Sequence, residues 1–355
     1  MNRDAIQQLV ETITTLTAGR GRVQIMEICG THTVSLFRSG VKSLLPANLR
    51  LISGPGCPVC VTSQGYLDAA CELADRPDVT ICTYGDMVRV PGSSGSLAER
   101  RSAGAKVTVV YSPRDALKLA RQTPSRKVVF LSVGFETTTP GSAATILEAA
   151  AAGVENFFIL PGHKLVIPAM RTLLAAGDVP IDGFLCPGHV SVVIGANAWR
   201  PIAQEYHKPC VVAGFEPQNM LEGIAHLCRQ ITENQAYVEN VYSTAVHDEG
   251  NIVAREMVER VFTPADETWR AMGVIPQSGL MLREEYRRFD ARDALGVSFG
   301  PDVSPPGCRC GDVIQGRLDP NQCALFGKSC TPLQPVGPCM VSSEGACAAW
   351  YKYAK

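Results

Sequence analysis

The sequence predicts an α/β protein: two doubly wound parallel-sheet domains followed by a small cysteine-rich domain. Three observations predict it. Between residues 23 and 231, short apolar runs alternate with helical patterns, which is how βαβ units with helices on both faces of a sheet read. Several of those runs end in loops punctuated by Gly and Pro. Finally, six of the fourteen cysteines crowd between Cys308 and Cys347, a density that means a metal centre, a disulfide knot or both.

The elements follow in order. Ile6, Leu9, Val10, Ile13 and Leu16 recur at helical spacing, so 5–17 is a helix. Buried parallel strands are expected at 23–28, 49–53, 79–82 and 107–111, and again at 128–133, 157–160, 181–186 and 210–213. Helices are expected near 63–75, 113–122, 140–152, 164–176 and 217–231. The predicted division is 1–123 for the first α/β domain and 124–235 for the second, with the break at Pro124-Ser125. The remainder, 236–355, is an irregular and helical segment with the cysteine-rich region at 301–355. Within it, 251–262 reads as a helix and 283–293 as a solvated charged stretch. The Pro-rich run 301–307 is a rigid connector. Two echoes mark a shared loop design: Gly134-Phe135-Glu136 with Gly214-Phe215-Glu216, and Pro161-Gly162-His163 with Pro187-Gly188-His189.

Composition excludes several classes. The chain has 355 residues, 46% of them hydrophobic, enough for more than one buried core. A net charge of −1 offers no basic field for nucleic acid or a membrane surface. No apolar run approaches a membrane span, and the polar N-terminus is not a signal peptide. The expected compartment is the reducing cytosol, where cysteines serve metals or redox chemistry rather than structural disulfides. No Gly-x-x-x-x-Gly-Lys loop occurs and no Gly-x-Gly-x-x-Gly follows a strand, so neither nucleotide-binding loop is present.

In open α/β sheets, ligands bind beyond the carboxyl ends of the strands. The unusual residues sit there: Cys29-Gly-Thr-His32-Thr, Gly54-Pro-Gly-Cys57-Pro-Val-Cys60, Gly134-Phe-Glu136-Thr-Thr, and Pro187-Gly-His189. Four separate loops are thus placed to converge on one edge. Cys57 and Cys60 begin a helix, where free N–H groups and the helix dipole favour a thiolate. Such a pair suits disulfide exchange or a soft metal. Two other readings stand beside it: small buried hydrophobes, or a zinc site of Cys29, His32, Cys57 and Cys60. His32 and His189 read equally as structural residues or proton carriers. Glu136 reads as a first-turn charge or an acid, and Thr137–Thr139 as a hydroxyl cap. Cys71, Cys82, Cys186, Cys210 and Cys228 fall within element patterns and read as core.

The tail runs Cys308-x-Cys310-x12-Cys323-x6-Cys330-x8-Cys339-x7-Cys347. Six thiols exceed the four a tetrahedral zinc or a cubane needs. Four plus two is the natural division, a [4Fe–4S] cluster and a redox-active pair. Zinc knuckles are absent, although zinc and plain disulfides remain as alternatives.

Taken together, Cys29-Gly-Thr-His-Thr33, Gly54-Pro-Gly-Cys-Pro-Val-Cys60, Gly134-Phe-Glu-Thr-Thr138, Pro187-Gly-His-Val190 and Met340-Val-Ser-Ser-Glu-Gly-Ala-Cys347 resemble the HypD family of hydrogenase maturation factors. The motifs span nearly the whole chain, and their joint occurrence is specific. The resemblance implies a scaffold on which the Fe(CN)2CO unit of [NiFe]-hydrogenases is assembled with the small chaperone HypC. Iron would lie between a HypC cysteine and Cys29, with Cys57 and Cys60 as further metal-handling thiols. HypE would deliver cyanide. The tail is similar to the cluster site of ferredoxin:thioredoxin reductases. This implies Cys308, Cys323, Cys330 and Cys347 as cluster ligands and Cys310 with Cys339 as the redox pair. Reducing equivalents would pass from that pair toward Cys57 and Cys60. Cys29, His32, Cys57, Cys60, Glu136 and His189 would then carry the chemistry, the histidines and Glu136 orienting thiolates and handling protons. The rivals are a cluster-driven thiol–disulfide reductase with no iron scaffold, and a zinc-stabilised binding protein.

Overall fold

The computed structural model describes residues 3–354. Its strands are β1 (Val23–Glu27), β2 (Leu49–Ser53), β3 (Val79–Thr83), β4 (Val107–Val109), β5 (Lys127–Gly134) and β6 (Phe157–His163). They continue with β7 (Gly183–Pro187), β8 (Cys210–Ala213), β9 (Val238–Asn240), β10 (Phe262–Trp269) and β11 (Gly273–Leu282). Every residue of β1, β3, β6, β7 and β8 is buried, as expected of parallel strands covered on both faces.

The strands form two parallel sheets. One has five strands in the order β2-β1-β7-β8-β9, the other four in the order β4-β3-β5-β6. The sheets do not divide the chain at residue 124. After β2 the chain leaves the first sheet, builds the whole second sheet, and returns at β7 to pair with β1. Strand pairing is non-local, so runs that look like two successive halves sort instead into an outer and an inserted unit. The five-stranded sheet has apolar cores on both faces. One holds Ile13 of helix Arg3–Thr17 against Met220 and Ile224 of helix Pro217–Thr232, and the other gathers Phe184, Trp199 and Ile202.

Each sheet has one point where the strand order reverses. In the first it falls between β1 and β7, in the second between β3 and β5. Such switch points open a crevice because successive crossovers leave in opposite directions. Both face one cleft, lined by Thr31 and His189 from the first sheet and by Asp86, Gly134 and Thr138 from the second.

The 235–300 region is more regular than its composition suggests. β10 and β11 form an antiparallel hairpin with a bulge between Ala265 and Glu267. The stretch 283–293 is not simply solvated: Tyr286, Phe289 and Asp290 are buried, and two short helices, Glu284–Phe289 and Ala291–Leu295, anchor it. Its aromatic residues enter the core with Phe130 and Phe262, and buried Asp290 is paired with Arg292. Beyond it lie short helices at Cys310–Ile314, Pro320–Gln322, Pro338–Val341 and Ala346–Tyr353. The last packs Trp350 on Phe37, ring centroids 5.3 Å apart, and Lys42 lies over both rings.

Candidate functional site

Cys29 closes β1 and is the N-cap of helix Gly30–Arg38. The register that pairs β1 with β7 carries the two following loops to the same edge. There the Cys29 Sγ lies 3.8 Å from Nε2 of His189, which begins helix Gly188–Ile194 after β7. The His189 ring stacks on Phe215, centroids 5.0 Å apart, and Phe215 in turn leans on His32 at 4.8 Å. Phe215 comes from the loop after β8, so three adjacent strand ends build one wall. His32 Nε2 donates to the Gly214 carbonyl at 2.9 Å. That bond fixes the tautomer: Nδ1 is unprotonated, buried, and has no partner among the described residues.

Burial governs the protonation of all three groups. It pushes the Cys29 thiol up to about 12, with the Glu344 carboxylate adding to the rise. The backbone N–H groups of His32 and Thr31 point at the sulfur and pull the other way, but lose. Burial also pulls His32 and His189 down to about 4, so both are neutral at pH 7.

The tail reaches into this edge. Thr31 Oγ1 donates to Glu344 Oε1 at 2.6 Å. Asp86, in the switch loop of the second sheet, accepts at Oδ2 from Ser343 N (2.8 Å), Ser343 Oγ (2.9 Å) and Ser342 Oγ (3.1 Å). The loop between Cys339 and Cys347 is therefore pinned across both switch points. A Cβ on Gly30 would strike the Glu344 backbone, so only glycine admits this close approach.

Cys57 and Cys60 take a different direction. Cys57 caps the short helix Pro58–Val61, and its sulfur accepts from the Cys60 N–H at 3.3 Å. Cys60 is turned toward the tail: its thiol meets Cys339 as well as Cys57, and burial first, then these neighbours, push it up. Cys339 is the hub. The thiols of Cys310, Cys347 and Cys60 all donate to it, with the Cys347 N–H at 3.5 Å, and these donors hold it well below the ordinary cysteine range. All six tail cysteines line one cavity, whose other walls include Val313, Leu325, Phe326 and Met340. All fourteen cysteines are free thiols.

Thus the structure joins Cys29 with His189 and, through Phe215, with His32. It joins Cys57 and Cys60 with Cys310, Cys339 and Cys347, and it places Cys308, Cys323 and Cys330 around the same cavity. Glu136 stands apart. Its Oε1 accepts from the Val166 N–H at 2.8 Å, capping helix Val166–Ala176, and burial raises its carboxyl to about 7. Sequence reading missed Phe215 and Asp86. Phe215 had a signal in the Gly-Phe-Glu echo; Asp86 had none.

Among the described residues, no three His, Cys, Asp or Glu side chains are arranged to hold one metal ion. Neither Cys29, Cys57 and Cys60 nor those three with His32 forms a closed mononuclear set. The tail cavity fits a larger group. It offers more than four thiols in an apolar wall, and N–H groups aimed at sulfur, including Val336 N–H to Cys330 Sγ at 3.4 Å.

The fold and its edge define an α/β protein with two groups of thiols at its strand ends and tail, one sulfur beside an imidazole and the others beside each other. A family model for HypD, described as the hydrogenase formation hypA family, matches residues 4–354. The hydrogenase maturation factor HypD of Escherichia coli is 48% identical over 332 residues, covering 93% of this chain and 89% of that one. HypD of Azotobacter vinelandii is 45% identical over 356 residues, covering 98% and 94%. A putative hydrogenase expression/formation protein of Methanocaldococcus jannaschii is 42% identical over 352 residues, covering 99% and 98%. The chain belongs to the HypD family, and its role lies in hydrogenase maturation. No helix among the described residues is long and apolar enough to cross a membrane.

Proposed function

We propose that this protein is a scaffold on which the Fe(CN)2CO unit of a [NiFe]-hydrogenase is assembled, with Cys29 as its ligand to the iron substrate. The observation that carries this is the Cys29 sulfur facing neutral His189 at 3.8 Å, at the switch point of the first sheet. A soft, anionic thiolate suits an iron carrying diatomic ligands. The thiol must shed its proton to bind metal, and the neutral imidazole 3.8 Å from the sulfur is placed to orient it. In this reading a second protein supplies donors beside Cys29, since no closed ligand set forms among the described residues. A chaperone of the HypC type, with a cysteine of its own, meets that need across the open cleft. HypE is the cyanide donor in this reading.

Cys308, Cys323, Cys330 and Cys347 would hold a [4Fe–4S] cluster, which when bound supplies single-electron chemistry. Cys310 and Cys339 form the redox pair. Their direct contact, and that of Cys339 with Cys60, support exchange of a disulfide along Cys310, Cys339, Cys60 and Cys57. Each step breaks one S–S bond as a neighbouring thiolate forms the next. Cys339, the sulfur held most anionic, is the attacking group.

The test is Cys29→Ala purified with the HypC partner, followed by infrared spectra in the nitrile and carbonyl region. Loss of the bands is expected. Bands at wild-type intensity would remove Cys29 as the iron ligand. The contact of Cys60 with Cys339 also suits a thiol–disulfide reductase without iron. That reading predicts no iron beyond the cluster after anaerobic purification with the chaperone.

A further inference from the structure

His189 faces the cleft with no hydrogen bond to set the plane of its ring. Its Nε2 lies 3.8 Å from the Cys29 sulfur, the only polar contact of the ring among the described residues. A histidine that works beside a metal is normally oriented through its other nitrogen, by a carboxylate or a carbonyl. His32 has such a bond, from Nε2 to the Gly214 carbonyl at 2.9 Å. His189 has none. Water in the cleft can satisfy its Nδ1 but cannot fix the ring. Rotation of an imidazole about its Cβ–Cγ bond has only a broad, two-fold preference of its own.

Phe215 supplies the missing constraint. Its ring lies against the His189 imidazole, centroids 5.0 Å apart and planes within 19°. Turning the imidazole out of that plane would forfeit the stacked contact. Phe215 is itself fixed from both sides. The N–H of Gly214 donates to Asn219 Oδ1, and Asn219 Nδ2 donates to the Val241 carbonyl at 2.7 Å. The Gly214 carbonyl holds the His32 bond. Two residues after Phe215, Pro217 opens helix Pro217–Thr232. Tyr242 packs against both loops: a Cβ on Gly188 would meet its ring at 2.6 Å, and one on Gly214 at 3.0 Å. The loop after β8 is thus rigid where the ring of His189 is not.

We propose that Phe215 is a positioning residue for the iron chemistry, its ring holding His189 with Nε2 on the Cys29 sulfur. This deepens, and rests on, the reading of Cys29 as the ligand to the iron substrate. Phe215 touches no reacting atom and acts only through His189. Its useful property is a flat aromatic face. Tyrosine should therefore replace it, and an aliphatic side chain should not.

The test uses the full-length protein with 13C-labelled histidine rings, alone and in complex with the HypC-type partner. His189→Gln assigns the His189 resonance. In Phe215→Leu alone, that resonance should shift as the ring current of Phe215 disappears, while His163, His207, His226 and His247 stay in place. In the complex, the nitrile and carbonyl infrared bands should weaken roughly fivefold, the population change expected from one aromatic contact. Phe215→Tyr should match wild type in both readouts. An unmoved His189 resonance in Phe215→Leu would overturn the proposal. So would bands of full intensity from a variant whose His189 has moved. Equal losses in Phe215→Tyr and Phe215→Leu would overturn it as well, by marking a packing role. If Phe215→Leu displaces the other histidines, it is misfolded, and Phe215→Met is judged by the same criteria. If wild type shows no bands with its partner, the iron reading falls and the positioning role with it. The ring resonance then still reports separately whether Phe215 holds His189.

Discussion

The two thiol centres differ in what surrounds the sulfur. At the first, Cys29 caps a nine-residue helix and receives backbone N–H groups, yet it is pushed up to about 12. At the second, Cys339 is as deeply buried but is held well below the ordinary range by three thiols that donate to it. A helix N-terminus favours a thiolate by a modest amount, typically below about 1 kcal/mol. Complete burial outweighs that, and Glu344 reinforces it. Direct S–H donation to one sulfur does not lose in this way. The first sulfur is thus held protonated by its burial, while the second is held low by its thiol neighbours.

The largest test of this division is cluster loss. Cys347→Ser removes a sulfur from the tail cavity and should abolish the tightly held iron and acid-labile sulfide of the protein alone. Cys29→Ser should leave both at wild-type levels, because Cys29 is not among the residues lining that cavity. Equal loss in the two variants would merge the centres into one.

Acid should separate them next. His32, buried, and His189, half-buried beside Cys29, are both pulled down to about 4, whereas no histidine lines the tail cavity. A histidine whose folded value lies below its free value of 6.5 binds fewer protons folded than unfolded. Its contribution is complete above pH 6.5 and is lost as pH falls toward about 4. The buried carboxyls Glu27 and Glu136, raised to about 7, act in the opposite sense, strongest in acid and lost as pH rises through 7. Wild type must therefore be compared with His32→Gln, which isolates one group. Urea unfolding between pH 7 and pH 4 should show wild type losing on the order of 3 kcal/mol more than the variant. Parallel curves would mean that His32 is not buried neutral.

Much of this arrangement is legible in the sequence, and the rest fails for identifiable reasons. Apolar runs mark β1 to β8 because buried parallel strands carry no polar face. Cys29 and His189 fall at strand ends, where crevices form, so their convergence is anticipated from the loops alone. Strand order is not. Nothing near Phe184 states that it will pair beside Met26 and leave a whole sheet between. The same non-locality hides the partner of Cys60. Its spacing from Cys57 groups it with the upstream loops, while its thiol faces Cys339 across the core. β10 and β11 escape notice because only part of each strand is buried and a bulge interrupts the alternation.

The smallest effect tests the link between the centres. The Ser342–Glu344 loop connects Cys339 to Cys347 and touches the first centre through one side-chain bond, Thr31 to Glu344 at 2.6 Å. Thr31→Val keeps the shape and removes the donor. A hydrogen bond to a charged, partly exposed acceptor is worth about 1 kcal/mol net, so global stability should fall by no more than that. Reactivity is the sharper readout. Without the bond, the loop keeps its hydrogen bonds to Asp86 and the packing of the Glu344 backbone on Gly30. Glu344 is then free to swing from Cys29, removing the acidic neighbour that adds to its raised value. Alkylation of Cys29 should accelerate several-fold in Thr31→Val while that of the tail cysteines is unchanged. Acceleration at Cys339 and Cys347 as well would show that the bond orders the tail rather than the edge, and that the two centres are mechanically one.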